Sequence, residues 1–226
     1  KRRIPKSRRK SRNFLRITIM LIILKQDDSC QVAQTTCTTN SLEIRYKDYS
    51  VLKKTLDLNT KSINSNSCIE LIIYGTHGNE KEICKLTKPD IKDLSYFFKG
   101  KVCRLVLDAC HSACHIPHFK EMLTDDGIIL CHVGICQVNS IETKTGKDTY
   151  ERWINGNKEG LKVWSDGIVP AIYTRKNNTL TYYECSKFEV DINHPFTGTE
   201  FKTYCLNLKS KGIKMVIKNH SDFDKI

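Results

Sequence analysis

Two residues in this chain of 226 stand at matching places in their local sequence. His77 follows the apolar run ELIIYGT at 70–76, and Cys110 follows KVCRLVLDA at 101–109. A thiol becomes a strong nucleophile as its thiolate, and a nearby imidazole both favours that state and can protonate a leaving amine. Gly78, beside the histidine, has no side chain to block approach, so its amide and that of Cys110 could face a tetrahedral oxyanion. The set is sufficient in kind for acyl transfer. The same segment has a second chemistry: Cys110, Cys114 and His118 are spaced i, i+4 and i+8, with His111, His115 and His132 close by. On one helix the first three would share a face, and thiolate with imidazole suits zinc. Ser112 reads as a helix cap.

Placing His77 beside Cys110 requires particular elements between them. The segment 69–75 is apolar almost throughout, as a strand covered on both faces would be. TKPDIKDLSYFFKG at 87–100 predicts a helix capped by Thr87, with Pro89 in its first turn, Ile91, Leu94 and Phe98 on one face, and Gly100 as its stop. VCRLVL then predicts a strand, HIPHFKEML a short helix opened by Pro117, and GIILCHVGI at 127–135 another strand. Strand and helix alternate, so the strands are parallel and neighbouring, and both reactive residues fall at carboxyl ends, where open α/β sheets gather ligands. Upstream, residues 14–24 and 41–47 predict strands and 49–58 a helix, while NTKSINSNS at 59–67 reads as a surface loop. Downstream, a strand pair is expected around Lys176, Asn177 and Asn178, with one further strand each in FKTYCLNL and IKMVIK.

Apolar strand, His-Gly, spacer, apolar strand and Asp-x-Cys-x-Ser together resemble the caspase-like cysteine peptidases, which include caspases, metacaspases, legumains, clostripains and gingipains. DACHSA at 108–113 is nearest to the metacaspase form, with Ala113 where Gly is usual there, and the spacer between His and Cys is shorter, nearer to gingipains. The resemblance covers about residues 69–135. It implies an α/β, caspase-like three-layer sandwich with a mostly parallel central sheet. It further implies Cys110 as nucleophile, His77 as general base and acid, the amides of Gly78 and Cys110 as oxyanion hole, and Asp108 lining the primary specificity pocket. A carboxylate there would select polypeptide substrates with Arg or Lys before the scissile bond. No cofactor or metal is required by that chemistry; some relatives need calcium, and no calcium loop is evident in this sequence.

The bulk composition agrees with one folded unit: 39% hydrophobic and 27% charged residues are the proportions of a globular domain. Residues 1–12 hold eight Lys or Arg and no acid, so the net charge of +12 leaves +4 for the rest. We read 1–12 as a basic disordered arm, with nucleic-acid or membrane contact the less favoured reading, and 13–226 as a single domain. Within it 13–145 forms the catalytic core and 146–226 completes the sheet. The apolar stretch 14–24 after the arm invites a signal-peptide reading, but Arg16 interrupts it and no small-residue cleavage site follows, so a buried strand is preferred to export. Eleven cysteines, with Cys103, Cys131 and Cys136 inside apolar runs, read as buried thiols in a reducing, cytoplasmic setting. There is no Walker or dinucleotide fingerprint. The alternatives to a cysteine endopeptidase are a zinc-binding protein, or an inactive caspase-like module used for binding.

Overall fold

The computed structural model describes residues 19–66, 68–75, 77–132, 170–184 and 206–219. The arm at 1–12, the first residues of the 14–24 stretch, Cys136 and the segment FKTYC lie outside them. Among the described residues the elements follow one another as β1 (Ile19–Gln26), β2 (Gln34–Cys37), β3 (Ser41–Tyr46), α1 (Tyr49–Leu58), α2 (Thr60–Asn64), β4 (Cys68–Tyr74), β5 (Glu82–Ile83), β6 (Leu86–Thr87), α3 (Lys88–Phe97), β7 (Val102–Asp108), α4 (Ile116–Phe119), β8 (Leu123–His132), β9 (Pro170–Thr174), β10 (Thr179–Glu184) and β11 (Lys214–Asn219), with residues 206–210 helical as well. Nine strands form one sheet in the order β11-β10-β9-β8-β7-β4-β1-β3-β2, and β5 with β6 makes a separate hairpin.

The centre of the sheet is parallel: β3, β1, β4, β7 and β8 all point one way. β2 and β9 run against their neighbours. The chain is thus an α/β protein on a large, mostly parallel mixed sheet. Its crossovers from β3 to β4, β4 to β7 and β7 to β8 all advance the same way, and right-handed crossovers therefore put α1 to α4 on one face. Contacts between the helices agree. Tyr49 of α1 donates its hydroxyl to Asp93 of α3 at 2.8 Å, and Ser95 of α3 donates to the carbonyl of His118 in α4 at 2.6 Å.

Alternation along the strands sorts the core. Ile22, Leu24, Leu71, Ile73, Leu105, Leu107 and Ile129 join Leu52, Leu56, Ile91, Leu94, Phe98 and Phe119 of the helices in one buried cluster. The residues between them, Ile23, Ile72, Val106 and Leu130, make a second buried stripe on the opposite face. Two-sided burial explains why β4 reads as an unbroken apolar run. Helix α3 starts where Asp90 accepts from both the N–H and the hydroxyl of Thr87, at 2.9 and 2.6 Å, with Pro89 in its first turn. Gly100, at φ +69°, takes the chain out of it.

Several expectations are corrected. Residues 59–67 are not simply a loop: α2 occupies Thr60–Asn64 and buries Ile63, one apolar anchor being enough to fold an Asn- and Ser-rich turn against the core. Residues 206–210, which include the end of the expected strand FKTYCLNL, are helical. β8 begins at Leu123 rather than 127, since Leu123 pairs with Val102 before the register shifts. Cys103 is not a buried free thiol; it forms a disulfide with Cys68 across β4 and β7. Disulfides persist in oxidising compartments, so Cys103 lends no support to a reducing, cytoplasmic setting. Among the described residues no helix is long and apolar enough to cross a membrane.

Candidate active site

The carboxyl ends of β4 and β7 are level: Tyr74 pairs with Asp108, the last residues of the two strands. His77-Gly78 and Cys110 therefore leave the sheet side by side. How closely is set by glycine. A Cβ on Gly78 would overlap the carbonyl oxygen of Cys110, and would stand 2.8 Å from the Cβ of Ala109 and 3.2 Å from the Cys110 nitrogen. Only a residue without a side chain allows that approach. Gly75 is constrained in the same way, its absent Cβ being 2.8 Å from the Gln26 side chain and 3.2 Å from Cys84 Sγ. Gln26 ends β1 and is buried, so it fills the crevice between β1 and β4, the switch point at which doubly wound sheets commonly bind ligands. The reactive residues sit one strand further on.

A hairpin that the sequence reading missed holds the His77 segment. Gly78 bridges Ile83 of β5 in antiparallel fashion, and the bridge's two hydrogen bonds belong to the neighbours: Cys84 N–H to His77 O and Asn79 N–H to Glu82 O, both 2.9 Å. Gly78 is therefore the non-hydrogen-bonded member of the ladder, and its own N–H is not spent there. The hairpin turns on Cys84 and Lys85 at φ +49° and +60°, a type I′ pattern normally written with Asn or Gly. Left-handed backbone costs such residues about 1–2 kcal/mol each. Buried partners hold it in place: Tyr46 at the end of β3 donates its hydroxyl to Cys84 O at 2.9 Å. From the other side His115, also buried, donates Nε2–H to Asn79 O at 2.7 Å. The segment after Cys110 thus pins the segment after His77.

After β7 the chain turns at once. Ser112 N–H returns to Ala109 O at 3.3 Å, and His111 takes the left-handed conformation at φ +53°. Cys110 lies in this turn, half-buried, while His77 is exposed. Ser112 is not the expected cap. Its hydroxyl, fully buried, donates to Leu107 O at 3.0 Å and accepts from His132 N–H at 2.9 Å, clamping β8 to β7 beneath Cys110. Strand register continues the row: Lys25 is level with Tyr74, Tyr74 with Asp108, and Val106, two residues before Asp108, with Leu130, two before the end of β8. Lys25 Nζ lies 5.6 Å above the Tyr74 ring, and His132 Nε2 lies 3.4 Å from Asp108 Oδ1. Asp108 keeps 25% of its side chain exposed, so its carboxylate faces solvent as well as His132.

Burial dominates the titration of the groups around the turn. It lowers the imidazoles of His115 and His132, in the latter against the attraction of Asp108. It pushes the thiol of Cys114 up to about 12, and those of Cys84 and Cys131 well above the ordinary range. These three thiols are held as neutral acids, unlike the state a nucleophile needs.

The zinc reading presumed one continuous helix from Cys110 to His118. Instead Cys110 and His111 form a turn, Ser112–His115 a single 3-10 turn, and only Ile116–Phe119 is α-helical, so the i, i+4, i+8 face does not exist. Among the described residues no three His, Cys, Asp or Glu side chains are grouped as a metal site. A cavity of about 430 Å³ lies away from all this, between α1, α2 and α3, lined by Tyr49, Leu56, Tyr96 and Phe97 and the charged ends of Lys53 and Asp93. No family model matches the chain, and neither a curated protein nor a solved structure does.

Proposed function

We propose that the chain is a caspase-like cysteine endopeptidase that hydrolyses peptide bonds after Arg or Lys. The observation that carries this reading is the close approach of Gly78 to the Cys110 main chain and the Ala109 Cβ at the level carboxyl ends of two adjacent parallel strands. In this reading the Cys110 thiolate attacks the scissile carbonyl carbon. The oxyanion is met by the amides of Gly78 and Cys110, the first of which the bridge to Ile83 leaves unspent. His77 takes the thiol proton and returns it to the departing amine, and water then releases the acyl group from Cys110. Asp108, partly exposed beside Cys110, provides the negative charge for the cationic side chain.

The test is a panel of fluorogenic peptides with Arg, Lys, Asp, Asn or norleucine before the scissile bond, run with and without calcium. Cleavage after Arg and Lys is expected. It should fall by roughly 10⁴-fold or more in Cys110→Ala and His77→Ala, and Asp108→Ala should erase the preference for basic residues. Cleavage that survives Cys110→Ala, or none in any condition, would refute the proposal.

A further inference from the structure

His132 has no part in the steps above, although its imidazole lies at ion-pair distance from Asp108. Its imidazole is 1% exposed, with Nε2 3.4 Å from Asp108 Oδ1. Its backbone is fixed in place: the main-chain N–H of His132 bonds to Ser112 Oγ, whose hydroxyl bonds to Leu107 O, the residue before Asp108. A carboxylate at a strand end can turn about its χ angles, and a buried ring packed against one oxygen limits that freedom and leaves the other to face outward. We propose that His132 is a specificity-determining residue: as the neutral imidazole it orients Asp108 toward a cationic substrate side chain, and as the imidazolium it takes the carboxylate for itself. The role rests on the peptidase reading.

The other groups facing the pair leave this exchange to His132. Lys25 of β1 is separated from Asp108 by the Tyr74 ring, over which its ammonium sits. From the turn between β5 and β6, Cys84 feels the charges of Asp108 and Cys110, and burial keeps its thiol neutral. The turn after β7 holds two further titratable groups, Cys110 and His111, and both stay in place in variants at 132, so a change in the pH profile of selection on substituting His132 is not theirs. Burial sets the direction: it outweighs Asp108 and holds His132 below the ordinary imidazole range near 6.5. Selection for Arg and Lys is therefore complete at neutral pH and declines on acidification, as the proton arrives on His132.

The experiment compares kcat/KM for two peptides that differ only in Arg or norleucine before the scissile bond, from pH 8 to pH 4.5. Wild type is set against His132→Gln and His132→Asn. In wild type the Arg-to-norleucine ratio should fall at least tenfold on acidification. In the variants it should stay level within about twofold over the same range. Loss of packing alone would lower both substrates together and leave the pH profile of the ratio unchanged, so a cleaving variant whose ratio follows the wild-type curve overturns the role of His132. No cleavage by wild type overturns the peptidase reading and this role with it. NMR titration of His132 in Cys110→Ala, with and without Asp108→Asn, needs neither activity nor a variant at 132. The imidazole should lose its proton at lower pH once the carboxylate charge is gone, and an unmoved titration overturns the contact.

Discussion

Strands β4 and β7 are joined in opposite ways at their two ends. At the amino end Cys68 and Cys103 are tied covalently, and the tie sits apart from any group assigned to chemistry. At the carboxyl end nothing is covalent: Gly78 packs on Cys110, His115 holds Asn79, and Ser112 clamps β7 to β8. A bond that constrains the unfolded chain stabilises without shaping a site, whereas a set of close approaches and buried hydrogen bonds shapes a site with little stability to spare. The amino end should therefore answer to reductant, and the carboxyl end to substitution and pH.

Breaking the covalent end should have the largest effect on stability. The bond closes a loop with a sequence separation of 35, which by the chain-entropy model amounts to roughly 4 kcal/mol. Cys68→Ala with Cys103→Ala, or reductant, should lower the melting temperature by roughly 10 °C, while kcat/KM at 25 °C stays within about twofold. A larger loss of activity would show that the two ends are coupled. Melting curves and peptide assays on the same samples decide it.

Gly78→Ala attacks the other end and should reverse the pattern. The new Cβ meets main chain rather than a movable side chain, so the strand ends must part. We expect a loss of roughly 1–3 kcal/mol in urea unfolding, with cleavage reduced by at least 100-fold because the amide leaves its position. A variant that keeps full activity would remove Gly78 from the oxyanion site.

Mild acid should act on the carboxyl end with the smallest of the three effects. His115 and His132 both titrate below their unfolded values because burial opposes their charge. The unfolded chain therefore binds protons first as pH falls through about 6.5, and the stability present above that pH is lost toward the folded values. Urea midpoints should decline from pH 7 to pH 5 in wild type, and less steeply in His132→Gln. Equal slopes would mean that His132 does not contribute.

The alternation of β4, α3, β7, α4 and β8 was legible in the sequence because each element is marked locally: unbroken apolar runs, Thr87 with Asp90 and Pro89 at one helix start, Gly100 at its end. His77, Gly78, Asp108 and Cys110 stand out as candidates for the same reason, as they lie at the ends of those runs. The supports were not legible. The hairpin of β5 and β6 turns on Cys84 and Lys85, which carry no turn signal and are held left-handed by partners such as Tyr46, distant in sequence. Ser112 was mistaken for a cap because a local sequence cannot show that β8 returns to offer it the His132 N–H. Cys103 looked like buried filler because its partner lies on another strand.

By itself, then, the sequence determined what is periodic or punctuated: which stretches become parallel strands, where they stop, and which reactive side chains follow. The tertiary structure decided what depends on distance between remote residues. It closed the gap between Gly78 and Cys110 to a separation no side chain fits, divided the histidines into a support at 115 and a partner for Asp108 at 132, and broke the helix on which a metal site would have depended. Those outcomes follow from close packing and from the need of buried polar groups for partners, and neither is encoded within a window of neighbouring residues.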